Sequence, residues 1–76
     1  MLVPLTKFSG RRAIVREIHG GITARQRLAD MGLLPGVEIT ILGSAPFGGP
    51  IRLLVKDSEL VVGWGLASKI FVEGIK

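Results

Sequence analysis

Val37-Glu38-Ile39-Thr40-Ile41-Leu42 and Ile51-Arg52-Leu53-Leu54-Val55-Lys56 flank the stretch Ala45-Pro46-Phe47-Gly48-Gly49-Pro50. The fold class follows from reading the three together. Val37, Ile39 and Ile41 alternate with Glu38, Thr40 and Leu42, the period-two pattern of a half-buried strand. Ile51, Leu53 and Val55 alternate in the same way with Arg52, Leu54 and Lys56, so the two runs read as the arms of a hairpin. Two prolines and two glycines make the stretch between them a stiff loop. Lys56-Asp57-Ser58-Glu59 is polar enough to turn the chain again, and Leu60 to Val62 reads as a further short strand.

Upstream of the hairpin, Leu34-Pro35-Gly36-Val37 has the composition of a type II turn, with proline presetting φ and glycine accepting a positive φ. Before it lies the one helix signal. Thr23 and Gln26 have capping-box spacing, and Ala24, Leu28 and Met31 form one apolar face. Gly32 falls where a left-handed residue would end the helix, which places it at about Thr23 to Met31. Arg12 to Ile18, bounded by Gly10 and Gly20-Gly21, reads as a strand, and Thr6 to Gly10 as a lead-in. Downstream, Gly63 to Ser68 is a bend or a single helical turn, and Ile70 to Glu73 a last strand. The expected domain spans residues 1–76: mainly β, five short strands in a small barrel or sandwich, with one short helix after the first strand.

A chain of 76 residues without cysteine must be held by its apolar core, and 47% of its residues are hydrophobic. Leu33, Leu42, Leu54, Val61, Trp64 and Phe71 fall where alternation points outward, so some of them are expected to form a surface patch. Trp64, between two glycines, reads as a core plug or as a contact residue. Phe47, at the tip of a stiff loop, either folds over the barrel mouth or is presented to a partner.

The inventory argues against catalysis: one histidine, no cysteine, no tyrosine. The Phe47-Gly48-Gly49 loop lacks the pattern of a phosphate cradle. Glu17 and His19, two apart on a strand, leave the same face and are weak candidates for an adventitious or dimer-bridging divalent metal. Two ligands are too few for a structural site, so no cofactor is expected. Residues 1–27 carry Lys7, Arg11, Arg12, Arg16, Arg25 and Arg27 against Glu17 alone, a net +5, while residues 28–76 sum to −1. Such a basic third can meet an acidic protein face or nucleic acid. Nucleic-acid binders interleave aromatics with the basic residues, and only Phe8 lies here, so nucleic acid is not expected. The longest apolar run, Leu60 to Ala67, is broken by Gly63 and Gly65, and Met1 to Leu5 is too short for a signal peptide; a cytoplasmic protein without membrane insertion is expected.

The run Arg27-Leu28-Ala29-Asp30-Met31-Gly32-Leu33-Leu34-Pro35-Gly36-Val37-Glu38-Ile39 resembles the R-L-x-x-[LM]-G-[LF]-x-P-G-x-x-[VI] signature of FeoA proteins. Ala45 to Pro50 is similar to their A-P-[FL]-G-G-P loop, and Leu66 to Val72 to their A-x-x-I-x-V ending. The resemblance implies an SH3-like five-stranded barrel and a non-enzymatic accessory of bacterial ferrous iron transport. Its implied partner is the cytoplasmic G-protein portion of the FeoB membrane transporter, met at the inner face of the membrane. Arg25, Arg27, Leu28, Pro46, Phe47, Gly48 and Gly49 are the contacts this would use. Weak self-association stays open. The same barrel occurs as the C-terminal SH3-like module of iron-dependent repressors.

Overall fold

The hairpin forms as its alternation requires. In a computed structural model describing residues 1–75, Glu38–Ser44 (β3) pairs antiparallel with Ile51–Val55 (β4). β4 pairs through the two-residue turn Lys56-Asp57 with Ser58–Val62 (β5). Upstream, Arg12–Ile18 (β2) pairs with β3 and with Ile70–Gly74 (β6). Val3–Pro4 (β1), a pairing the lead-in does not announce, adds to β6 through Val3↔Val72. Two α-helices, Ile22–Asp30 (α1) and Trp64–Ala67 (α2), and a 3-10 turn at Leu5–Lys7 complete the described residues.

The described residues therefore form six strands, not five, in the order β1-β6-β2-β3-β4-β5, and β1 and β5 are edges paired on one side only, so the sheet does not close. It curls instead. Extents of 29 × 27 × 26 Å are too even for a flat sheet of six strands. Register shifts at Val15/Glu17 in β2 and at Ile41/Gly43 in β3 mark bulges, which bend a strand and increase its twist. Leu42 is the extra residue of the second bulge, which explains why it is half-buried rather than outward.

Inside the curl lie Ala13, Val15, Ile39, Ile51, Leu53 and Val72, among other buried apolar residues. Leu28 fastens α1 to this core with no exposed surface. The helix ends as its glycine demands. Gly32 has φ +85°, its N–H donates to the Ala29 carbonyl at 2.9 Å, and the Leu33 N–H donates to the Leu28 carbonyl at 2.9 Å. This double bond pattern brings the residue after the glycine back against the last turn. Leu33 is buried for that reason, although alternation alone points it outward. The type II turn follows, with Gly36 at φ +95° and Val37 N–H donating to Leu34 carbonyl at 3.1 Å.

The helix start differs from the expected capping box. Gly20, at φ +109°, turns the chain early, and Gly21 becomes the extended N-cap residue whose carbonyl accepts from Arg25 N–H at 3.1 Å. Thr23 thus lies two residues too far inside to cap, and Gln26 bonds Asp30 Oδ1 at 2.9 Å instead.

Candidate functional site

The hairpin tip is built by a tight turn. Gly49 N–H donates to the Pro46 carbonyl at 3.3 Å, and Phe47 and Gly48 have φ of 59° and 74°. Two successive positive φ values define a type I′ turn. Glycine adopts this conformation freely; a bulky residue in it is strained by about 1–2 kcal/mol. Phe47 gains nothing from the fold in return, because its side chain is 103% exposed. Of the two readings of Phe47, folding over the core is excluded and presentation to solvent is found.

Gly48 lies against the indole of Trp64: a Cβ added there would sit 3.8 Å from Trp64 Cδ2. Trp64 opens α2 and is 42% exposed, so it is not a core plug. Val61, just before it on β5, is 58% exposed. On the other side, Leu66 of α2 lines a shallow groove of about 360 Å³ with Lys69, Thr23 and Arg27 of α1. α2 thus stands between the two sequence motifs, and the surface runs from Arg27 through Leu66 and Trp64 to Gly48 and Phe47.

The first helical residue, Ile22, extends this surface. It is out of phase with the Ala24–Leu28 face and strongly exposed, a signal that a helical projection of the sequence contains. Around it a second groove of about 490 Å³ is lined by Ile18, Ile22, Arg25, Ala29, Leu34 and Pro35.

The charges sort themselves by strand pairing. Arg12 bonds Glu38 at 2.6 Å, Arg16 bonds Glu73 at 2.8 Å, and Arg52 bonds Glu59 at 3.1 Å. Arg25 and Arg27 form no ion pair among the described residues. The basic character of the first third is therefore neutralised at Arg12 and Arg16 of β2 and left open on α1 and at Lys7 and Arg11. Leu28 is buried, so it anchors α1 and offers no contact surface.

Glu17 and His19 come together: Glu17 Oε1 lies 3.0 Å from His19 Nε2, and the imidazole stacks on Phe71 with centroids 4.1 Å apart. Among the described residues no group of three or more His, Asp, Glu or Cys side chains is gathered to hold a metal. Among the described residues no helix is long and apolar enough to cross a membrane.

Comparison with known proteins agrees with this geometry. The FeoA domain model matches residues 8–74. A relative from Methanocaldococcus jannaschii, an Fe(2+) transport protein A, is 38% identical over 64 residues, covering 84% of this chain and 76% of its own. The crystal structure of an iron uptake regulatory protein (FeoA) superposes with a TM-score of 0.84 at 42% identity, covering 96% of both chains. The repressor ScaR, solved with bound Zn2+, superposes with a TM-score of 0.89 at 26% identity over 96% of this chain but only 37% of its own. That likeness concerns one module of a larger protein, whereas the domain match and the two relatives of similar length cover most of both chains. The chain belongs to the FeoA family, with its SH3-like fold.

Proposed function

We propose that this protein acts in ferrous iron uptake by binding rather than catalysis, docking at the cytoplasmic side of the membrane onto the G-protein portion of a FeoB transporter. The observation that carries this reading is Phe47. A strained turn holds an aromatic side chain wholly in solvent, and strain that the fold does not need is a mark of function. Trp64, against Gly48, widens the apolar contact, and Arg27, which shares a groove with Leu66 of α2, adds unpaired positive charge, with Arg25 further along α1. The fitting partner surface is apolar at its centre and acidic at its rim. Pro46, Gly48 and Gly49 serve by shaping the turn.

Nucleic-acid binding finds less support. Phe8 lies half-buried between Gly10 and Gly74, where a Cβ on Gly10 would stand 2.6 Å from the ring, so it offers no free stacking face. Arg12 and Arg16 are engaged with carboxylates.

Calorimetric titration with the cytoplasmic fragment of FeoB tests the proposal. Binding is expected, and Arg27→Glu should weaken it by about tenfold or more, chiefly through a slower association rate. Absence of binding by the wild type would overturn the choice of partner. Unchanged affinity and rate for the variant would remove α1 from the interface.

A further inference from the structure

The two edges of the sheet are unlike. β1 is two residues long and contains Pro4, which has no N–H to offer, so it is a poor template for another strand. β5 has five residues, Ser58-Glu59-Leu60-Val61-Val62, and no proline.

Which of its backbone groups face outward follows from hydrogen-bond parity across the sheet. In an antiparallel pair, successive residues bond alternately to one neighbour and to the other. Val15 N–H donates to the Val37 carbonyl and Ile41 N–H to the Arg11 carbonyl, so alternate residues of the segment Val37, Ile39 and Ile41 bond towards β2. Thr40 then bonds towards Leu54 of β4, and Leu53 and Val55 bond towards Leu60 and Ser58 of β5. The two-residue Lys56-Asp57 turn requires the same bonded pair, Val55 with Ser58. Glu59 and Val61 are the residues left over. Their N–H and C=O groups point away from β4 to the open side.

We propose that this edge pairs with the β5 edge of a second copy of the chain, antiparallel about a twofold axis at Leu60. Parity admits three registers. Glu59 opposite Glu59 of the second copy sets like charges against each other. Val61 opposite Val61 makes a single bonded pair. Glu59 opposite Val61, with Leu60 opposite Leu60, makes two bonded pairs, opposes no like charges and joins the half-buried leucines on the core side. Each Glu59 keeps its own Arg52 at 3.1 Å, so it enters the seam already paired. The same register sets the Lys56-Asp57 turn of one copy beside Gly63-Trp64 of the other, a cation beside a half-exposed indole. Such closure is isologous and stops at two copies.

The seam is short, at the low end of interface sizes, so the expected dissociation constant is about 0.1–1 mM. Sedimentation velocity on the full chain from about 10 µM to about 1 mM should show reversible dimerisation over this range. Amide hydrogen exchange at the two extremes should slow at Glu59 and Val61 by about twofold or more, with Ser58, Leu60 and Val62 unchanged. Val61→Pro removes one outward N–H and no bond to β4, so the variant should stay folded and monomeric throughout. A wild type that remains monomeric with fast exchange at Glu59 and Val61 overturns the proposal. So does a dimer that survives Val61→Pro, or one whose new protection appears at other amides, a readout that holds even if the proline variant does not fold.

Discussion

Phe47→Ala separates docking from folding, and the two magnitudes come from different parts of the structure. In the free protein the ring is 103% exposed, so its removal uncovers nothing. Alanine keeps the positive φ at this position and with it most of the turn strain. Stability should change by no more than about 0.5 kcal/mol, the usual range for exposed substitutions, or less than about 4 °C in Tm for a domain of this size. In the complex the balance reverses. A buried phenylalanine removes about 150–250 Å² from water. At about 25 cal/mol per Å² even the lower figure corresponds to roughly 4 kcal/mol. Alanine retains part of this area, and fixing the ring on binding offsets some of the remainder, leaving a loss of about 2–3 kcal/mol. Affinity for the FeoB cytoplasmic fragment should fall about 30- to 150-fold. Thermal unfolding followed by circular dichroism and calorimetric titration give the two readings. A fall in Tm of about 10 °C would show that the ring is packed in solution and would refute the strain argument. Unchanged Tm with unchanged affinity would remove the hairpin tip from the interface.

Two further substitutions test how α1 is built and held. Thr23→Ala should alter the stability obtained from urea unfolding by less than about 0.5 kcal/mol, because Gly21 and not Thr23 starts the helix; a capping role would lose about 1 kcal/mol. Leu28→Ala should lower stability by about 2–5 kcal/mol in the same measurement, since the side chain is fully enclosed; a loss under about 0.5 kcal/mol would mean that α1 is not fastened through this residue.

What the sequence shows and what it hides divide along the range of the interactions. The bounds of β2, the hairpin and the glycine that ends α1 are legible because period two and positive φ are local demands. β1 is not, because two residues carry no period and Val3 becomes a strand only by finding Val72. Leu33 misleads an alternation count because the helix C-terminus, not a strand, decides where it points. The Thr23–Gln26 spacing is a true capping pattern overridden by a glycine pair that breaks the chain first.

The candidate site shows the same division. Phe47 is conspicuous in the sequence, yet its exposure depends on a φ that a glycine would ordinarily supply. Arg27 and Phe47 are twenty residues apart along the chain, with the turn at Pro35-Gly36 and β3 between them, and nothing local joins them. They are linked through α2, a four-residue helix that the sequence reads as a bend or a single helical turn without saying what it packs against. Charge follows the same rule. The +5 of residues 1–27 looks like one basic patch, but β2 aligns Arg12 with Glu38 of β3 and Arg16 with Glu73 of β6. Exposed ion pairs of this kind add little stability, about 0–1 kcal/mol each. Their larger consequence is spatial: they neutralise the arginines of β2 and β4, while Arg27 and Lys69 keep unpaired charge in the groove beside Leu66 of α2. Under the proposed docking, this charge would meet an acidic rim next to the apolar contact made by Phe47 and Trp64.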